Sequence, residues 1–448
     1  MLDCAIIGAG LAGLVAARDL RNRGLGVVVL EARDRVGGRV ENGVLADGQY
    51  VELGGQWIGA GHDAIFELIE RYGLRTIGTP ARGNLVVRVH GRLLEVPSAE
   101  DGAELTPFEV ADLSQGLLRL RRLAHRLADD PAWVTANGAW LRQDLRRWVR
   151  TNLRTGGAQA RFGGVYEAAF GPMIPHATLE EGLRQINSGP SLETMIANNG
   201  GLNQQRVDGG MMALCEALAD DLGEVVRLGS PVTKVTHEDT AVVTLESGET
   251  IEARTVVSTL PPRLAVALEY DPPLPQWRRD VAEKVAPGNV IKAYLVYETP
   301  FWRERGLSGQ SSSDEGAVRV TFDTTPADSV RGLLMGFFEG TEADSLAHRS
   351  LETRRRAFVE SAVRAFGAEA TEPLDYLERD WSAEQYTRGC HGAHFAPGIW
   401  TSNGPILAAP DGCLYWAGAE YSTRFNGYME GAVRSGEEIA ATVAVALI

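Results

Sequence analysis

Three glycines and one glutamate near the start of the chain have the spacing of a dinucleotide-binding site. Gly8, Gly10 and Gly13 form a G-x-G-x-x-G motif, and Glu31 lies further along the chain. In such a motif the first glycine permits a tight turn, the second lets the backbone approach a pyrophosphate, and the third lets a helix pack closely. The N-terminus of that helix attracts the anion, and Glu31 can accept hydrogen bonds from an adenosine ribose.

A strand–helix–strand unit must position these residues. Residues 4–8 are apolar and end in glycine, and residues 26–30 are a second apolar run, so both are predicted to be buried parallel strands. Between them, residues 11–21 have helical spacing of their apolar side chains. This context makes the glycine motif specific, because the motif follows a strand and opens a helix.

A second glycine-rich segment follows at once and favours FAD over NAD. Residues 31–39 read Glu-Ala-Arg-Asp-Arg-Val-Gly-Gly-Arg, and residues 52–57 read Glu-Leu-Gly-Gly-Gln-Trp. Both segments resemble those of the flavin-containing amine oxidase family, which includes the monoamine and polyamine oxidases. The resemblance implies a set of cofactor contacts around the pyrophosphate and the flavin ring. These contacts are Arg33, Gly38, Arg39, Gly55 and Gln56.

The resemblance continues through the middle of the chain. It implies that Val232 meets the adenine after the chain returns to the cofactor domain at residues 207–214. It also implies that Lys292, in Val-Ile-Lys-Ala-Tyr-Leu, holds a water against flavin N5, where a cation assists reoxidation by oxygen. The alternative is a lysine at a strand end that extends to solvent.

Residues 381–390 begin with Trp381 and end with the pair Gly389-Cys390. In the mitochondrial monoamine oxidases the cysteine of this pair carries the flavin in a thioether bond, whereas many soluble relatives bind FAD without a covalent link. The resemblance implies that Trp381 and Cys390 contact the cofactor, and it leaves both modes of attachment open.

Residues 415–420 and 427–432 complete the resemblance. They imply that Glu420 belongs to the cofactor site and that a helix beginning near Met429 directs its N-terminus at the flavin, with the Met429 N–H as a donor. The positive end of a helix stabilises an anionic reduced flavin.

The family holds its amine between two aromatic walls, and Tyr428 corresponds to one of them. The other wall follows Cys390 and is His391 here, where the monoamine oxidases carry tyrosine. Histidine offers a flat ring but is more polar and titrates near neutral pH, so simple arylalkylamine specificity does not follow. The alternative is that His391 lies behind these two walls, which form an aromatic cage around the amine, and makes a supporting hydrogen bond.

Together with the dinucleotide motif, the resemblance implies an FAD-dependent amine oxidase with Lys292, His391 and Tyr428 at its reaction site. The enzyme would oxidise a small-molecule amine to an imine, which hydrolyses to a carbonyl compound, and reduce O2 to hydrogen peroxide. A flavin L-amino-acid oxidase is an alternative, although residues 56–61 lack the arginine that such relatives carry. A desaturase-type or protoporphyrinogen-type flavoprotein and a catalytically silent flavoprotein are further alternatives.

Length and composition limit the remaining choices. The 448 residues exceed the size of a single core and predict at least two domains. The net charge of −15 lacks the basic footprint of a nucleic-acid binder, and no apolar run is long enough for a membrane span. Four cysteines without a C-x-x-C pair predict neither disulfides nor a metal site, and favour a cytoplasmic protein. Dimers are common among relatives, so a homodimer is one expected state.

The predicted fold class is α/β, with a discontinuous Rossmann-like FAD-binding domain interleaved with an α+β substrate-binding domain. The FAD-binding domain takes residues 1–77, 207–283 and 385–448, and the substrate domain takes residues 78–206 and 284–384. Hairpins are expected at residues 85–96 and 241–257, helices at 107–153, and a surface loop at the Gly- and Ser-rich residues 306–316.

Overall fold

The computed structural model describes residues 1–89, 91–96, 106–159, 162, 178–189, 205–313, 315–327, 329–395, 399 and 406–447. The strands of this part are, in chain order, β1 Leu2–Ile7, β2 Val27–Leu30, β3 Asn42–Val44, β4 Tyr50–Glu52, β5 Thr76–Gly78, β6 Asn84–Val89, β7 Arg92–Val96, β8 Gln205–Val207, β9 Val226–Arg227, β10 Val232–His237, β11 Ala241–Leu245, β12 Thr250–Ser258, β13 Glu269–Asp271, β14 Val285–Gly288, β15 Val290–Tyr297, β16 Leu307–Ser313, β17 Val320–Asp323, β18 Gly332–Glu339, β19 Asp375–Asp380, β20 Cys390–Phe395 and β21 Leu414–Trp416.

The α-helices are α1 Leu11–Asn22, α2 Asp63–Arg71, α3 Pro107–Asp129, α4 Pro131–Leu141, α5 Leu145–Asn152, α6 Leu179–Ser188, α7 Met212–Leu222, α8 Pro262–Ala265, α9 Gln276–Glu283, α10 Phe301–Glu304, α11 Gly340–Ala347, α12 Leu351–Phe366 and α13 Met429–Leu447. No helix of the described residues is long and apolar enough to cross a membrane.

The first sheet holds the predicted strand–helix–strand unit. Its strand order is β13-β10-β11-β12-β1-β2-β9, and β21 also pairs with β12. β1 lies between β2 and β12 and pairs with both in parallel. Parallel strands of this kind are buried on both faces, which explains their apolar sequence. β11 and β12 form the expected antiparallel hairpin. α1, α7 and α13 cover one face of this sheet.

The second sheet has the order β19-β15-β18-β17-β16-β6-β7 and is mostly antiparallel. Side chains of β15 alternate between its two faces: Ile291 and Leu295 pack with α12, whereas Val290 and Tyr294 pack against Val51 and Leu53. This alternation places Lys292 on the face that Val290 and Tyr294 share. The lysine therefore points toward the first part of the chain rather than toward solvent.

The expectation of a surface loop at residues 306–316 was wrong. Residues 307–313 form β16, which pairs with β6 and β17 inside the second sheet. Its serines satisfy their hydroxyls within the protein: Ser311 Oγ lies 2.8 Å from Thr321 Oγ1, and Ser308 donates to the Asn84 carbonyl. Polar composition suggested a loop, but cross-strand hydrogen bonds let these side chains be buried.

Helices α3 to α6 form a third layer with its own apolar core, which includes Leu120 and Trp148. The helices predicted at residues 107–153 are confirmed as three separate helices, because Pro131 and the capping residue Asp144 begin new ones. The hairpin of β6 and β7 is also confirmed, although its turn residue His90 lies outside the described residues.

Candidate active site

A single cavity of about 440 Å³ brings together segments that are far apart in sequence. It is lined by most of the residues predicted for the cofactor and the reaction. These are Gly8, Gly10, Glu31, Arg33, Gly38, Arg39, Gly55, Gln56, Val232, Lys292, Cys390, His391, Tyr428 and Met429. Both sheets contribute. Ile7 and Leu30 come from β1 and β2 of the first sheet, and Lys292 and Phe337 come from β15 and β18 of the second.

The turn after β1 has the geometry that its glycines predict. Gly8 has φ +103°, and a Cβ on Gly13 would lie 2.0 Å from the Gly8 carbonyl oxygen, so only glycine fits there. A Cβ on Gly10 would meet nothing closer than 4.0 Å, which leaves its surface open to the cavity. Glu31 holds the turn, since its carboxylate accepts from the Ala9 N–H at 2.8 Å.

Arg39 forms a bidentate ion pair with Glu420. The Arg39 nitrogens lie 2.5 and 2.9 Å from the two Glu420 oxygens. Glu420 is only 2% exposed, so its charge is balanced by Arg39 rather than by water. The pair joins the segment after β2 to the segment after β21, at the cavity wall.

Lys292 is buried at 3% exposure and is fixed by two acceptors. Its ammonium donates to the Gly54 carbonyl at 2.8 Å and to Gln56 Oε1 at 2.5 Å. Burial lowers the pKa of Lys292, and the carboxylate of Glu52 opposes that shift. This position contradicts the alternative of a lysine extending to solvent.

Cys390 begins β20 and lies in the cavity wall as a buried thiol. Burial raises the pKa of this thiol, and the nearby Arg39 partly opposes that effect. The backbone around it is tightly turned, because Arg388 and His391 have φ of +52° and +58°. Non-glycine residues rarely adopt such angles, and they concentrate at functional sites.

His391 and Tyr428 both line the cavity, as the cage hypothesis requires. The His391 ring packs edge-on against Phe337 at 4.9 Å, and its Nδ1 lies 3.7 Å from the Glu339 carboxylate. Tyr428 packs against Phe425 at 6.2 Å, and burial raises the pKa of its hydroxyl to about 12. Tyr428 is therefore a neutral phenol at neutral pH.

Tyr428 immediately precedes α13, so the N-terminus of that helix faces the cavity. Met429 packs against the backbone at Gly55, where a Cβ would lie 2.8 Å from the Met429 sulfur. Glu430 turns away from the cavity and accepts from the Ala64 and Ile65 N–H groups at the start of α2. The helix is thus anchored on the side opposite to the cavity.

Three predicted cofactor contacts lie behind the cavity wall instead of lining it. Gly13 packs under the Gly8 turn, Glu420 supports Arg39, and Trp381 donates its indole N–H to the Leu53 carbonyl at 2.9 Å. Sequence reasoning also missed the buried Glu52 and the cavity residue Phe337. Glu52 begins the Glu-Leu-Gly-Gly segment. The presence of an acidic residue beside these glycines was the one feature of the sequence that could have pointed to it.

The walls of the cavity fit a flavin dinucleotide. Glycine turns expose backbone to the cavity, as binding of a pyrophosphate requires. The N-terminus of a helix also faces the cavity, as an electron-rich ring edge requires. Gln56 Nε2 and Trp57 Nε1 are buried in this wall without a protein acceptor among the described residues. Both are donors that a polar ligand can satisfy. The described residues contain no cluster of His, Cys, Asp or Glu suited to a metal ion.

Comparison with known proteins defines the class. The family described as flavin containing amine oxidoreductase matches residues 11–444, and the chain therefore belongs to that family. It is an α/β flavoprotein oxidoreductase that acts on CH–NH groups, as the motifs predicted.

Three relatives illustrate the breadth of that family. The chain is 34% identical over 448 residues to a Mycobacterium tuberculosis protein named flavin-containing monoamine oxidase AofH, covering 100% of this chain and 97% of that protein. It is 30% identical over 455 residues to an L-amino acid dehydrogenase of Synechocystis sp., covering 98% and 94%. Wild-type putrescine oxidase bound to putrescine has a TM-score of 0.88 at 30% identity, covering 99% of each chain.

Proposed function

We propose that this enzyme oxidises a small amine held between His391 and Tyr428, with FAD in the cavity and O2 as the final acceptor. The observation that carries the proposal is the convergence of the dinucleotide turn, Lys292 and these two rings in one cavity. FAD, when bound, takes up a hydride equivalent from the amine and passes its electrons to O2.

The chain's own residues supply binding and charge. His391 and Tyr428 flank the amine, and Phe337 fixes the His391 ring from the side. An apolar enclosure favours the neutral amine over its ammonium form, and the neutral form has the lone pair that the oxidation needs. No strong base is required among the described residues that line the cavity.

The remaining contacts hold the cofactor. Gly8, Gly10 and Gly38 admit the pyrophosphate, with Arg39 beside it and Glu420 and Gly13 as supports. Glu31 and Arg33 serve the ribose end, Val232 the adenine, and Gly55, Gln56 and Met429 the flavin ring, while Trp381 supports that ring from behind. Lys292 assists the reaction with oxygen through the charge of its ammonium.

We further propose that Cys390 carries the flavin covalently, since its sulfur lies in the wall of the same cavity. After denaturation in acid, flavin fluorescence should stay with the polypeptide, and its mass should include the cofactor. Cys390→Ala should release the flavin under the same conditions. Free flavin from the denatured wild-type protein would refute the attachment.

We also propose a homodimeric state and a cytoplasmic location. The proposed domain limits are 1–77, 78–206, 207–283, 284–384 and 385–448. Strands of the first sheet fall at residues 2–30, 226–271 and 414–416, and those of the second at 84–96 and 290–380, which supports the interleaving. Light scattering of the purified protein tests the dimer.

A peroxide assay in air with a panel of arylalkylamines, diamines, polyamines and α-amino acids tests the proposed function. Peroxide production with one amine class supports it and names the substrate class. Turnover with α-amino acids alone would favour the second candidate, an amino-acid-oxidising flavoenzyme like the relative from Synechocystis.

A further inference from the structure

Glu52 is a buried acid that the proposed reaction does not use. It ends β4 and is 2% exposed. One carboxylate oxygen accepts from the Met211 N–H at 2.9 Å, and the other has no hydrogen-bond partner among the described residues. A buried carboxylate is costly unless a nearby charge compensates it.

A short chain of contacts connects Glu52 to Lys292. The Tyr294 hydroxyl donates to the Glu52 carbonyl at 2.7 Å and lies 3.2 Å from Gln56 Oε1. That same amide oxygen accepts from the Lys292 ammonium at 2.5 Å. These contacts reach the backbone carbonyl of Glu52, so Glu52 and Lys292 belong to one buried cluster. Their charged groups act on each other electrostatically across that cluster.

The direct acceptors of Lys292 do not balance its charge. The Gly54 carbonyl and Gln56 Oε1 satisfy two of its three N–H groups, but both are neutral. Burial without an opposite charge lowers the pKa of an ammonium group, so the group loses its proton at a lower pH. Burial lowers the pKa of Lys292, and Glu52 is the strongest influence that opposes this shift. Burial also raises the pKa of Glu52, and Lys292 is the strongest influence that opposes that shift.

Other charged or titratable groups around Lys292 do not replace Glu52. Arg206, 3.9 Å from the Glu52 carboxylate, is itself cationic, and Cys390 is a buried thiol whose pKa is raised. Arg379, the register partner of Lys292 on β19, is ion-paired with Glu41 and Glu384. The partner on β18 is the apolar Phe337.

We propose that Glu52 is a positioning residue whose carboxylate supplies the counter-charge that keeps Lys292 protonated, and that Glu52 thereby sets the pH range in which Lys292 assists the reaction with oxygen. The inference rests on the proposed function of Lys292, but its test reads the lysine directly. Glu52 acts through Lys292 and does not itself contact the substrate.

The chain has only three lysines, Lys234, Lys284 and Lys292, so ¹³Cε-lysine NMR can follow the protonation of each one. The lysine signal that is absent from the spectrum of the Lys292→Met holoenzyme is the signal of Lys292. Glu52→Gln removes the counter-charge and should lower the Lys292 titration midpoint by about one pH unit or more. Glu52→Asp retains the charge at a greater distance and should give an intermediate midpoint, which keeps the test available if Glu52→Gln does not fold.

Asp323→Asn is the matched control, because Asp323 is also a buried carboxylate, paired with Arg303 and Trp302. It should leave the Lys292 midpoint unchanged. An unchanged midpoint in the folded Glu52 variants would overturn the inference.

The oxygen reaction separates this inference from the proposed function. In Glu52→Gln the alkaline limit of flavin reoxidation should move to lower pH with the NMR midpoint, while anaerobic reduction by the amine keeps its pH profile. A moved midpoint with an unmoved oxygen profile would uphold the counter-charge and refute the function proposed for Lys292.

Discussion

At the scale of single residues, the cavity depends on charges that are buried together with fixed partners. Glu420 is 2% exposed and is balanced by Arg39, and Lys292 is held by Gly54 and Gln56. Removing one member of such a group leaves the other without compensation, which costs more than losing a surface pair. Substitutions at buried positions should therefore have much larger effects than substitutions at exposed positions.

Lys292→Met should slow reoxidation of the reduced enzyme by O2 by at least about tenfold, because it removes a cation from the site where negative charge develops. Reduction by the amine under anaerobic conditions should change much less. Stopped-flow absorbance measures the two half-reactions separately. Lys284→Met, at an exposed position, is the control, and equal oxygen rates in both variants would contradict the prediction.

Arg39→Leu should lower the free energy of unfolding by about 3–5 kcal/mol, because it leaves the Glu420 carboxylate buried and unpaired. Chemical denaturation of the cofactor-free protein measures this effect apart from cofactor binding. Arg75→Leu breaks an exposed ion pair, in which the side chains of Arg75 and Asp208 are 84% and 40% exposed. It should lower the free energy of unfolding by only about 0–1 kcal/mol. Similar losses in the two variants would refute the argument.

At the scale of elements, α13 joins the reaction site to the dinucleotide-binding unit. Its first residue, Met429, faces the cavity, and further along it packs against α1. Close approach of the two helices depends on Gly436, where a Cβ would lie 2.6 Å from the Ala12 carbonyl oxygen. The position of the helix start is thus coupled to packing about two helical turns further along the same helix.

Gly436→Ala should destabilise the protein by about 1–3 kcal/mol, because the added methyl group must push the two helices apart. The sign is informative, since alanine in a helix interior is otherwise favoured over glycine by about 1 kcal/mol. Thermal denaturation measures the change. Val445→Ala on the same helix, at 74% exposure, should alter stability by about 0.5 kcal/mol or less. A rise in Tm for Gly436→Ala would contradict the packing argument.

Elements with a clear local pattern were predictable from the sequence. β1, α1 and β2 follow from apolar periodicity and glycine spacing, and the hairpin of β11 and β12 follows from its Ser-Gly turn. β16 was not predictable, because its serines are buried only through partners on β6 and β17. Such cross-strand pairing depends on residues distant in sequence, which composition does not reveal.

At the scale of the whole molecule, the cavity exists because two sheets built from alternating stretches of chain meet. Motifs predicted most of the cavity wall and Glu420 behind it, but they did not predict Phe337 or the buried Glu52. The contact of Glu52 with Met211 and its proximity to Arg206 link residues that are more than 150 positions apart. Only the assembled molecule places the carboxylate near Lys292.

Stability of the whole protein should decrease in mild acid because of His62. Burial lowers the pKa of His62 to about 4, below its ordinary value of about 6.5. The unfolded chain therefore takes up a proton that the folded chain refuses between these values, and stability is lost as the pH falls through that range. Between about pH 7.5 and about pH 5 the loss should be about 2 kcal/mol.

His62→Asn should remove this loss while retaining an acceptor for the Gly59 N–H, which His62 Nδ1 now accepts at 3.3 Å. Urea denaturation at the two pH values measures the difference. His348→Asn, at an exposed position, should keep the acid sensitivity of the wild type. An equal loss in His62→Asn and in the wild type would rule out His62 as its source.

Anaerobic spectroscopy tests most directly whether this cavity oxidises an amine with its flavin. Purified protein should be yellow, should bleach when one class of amine is added without oxygen, and should regain its colour in air with the release of hydrogen peroxide. A yellow protein that no amine bleaches, or that only an α-amino acid or another donor bleaches, would contradict amine oxidation in this cavity.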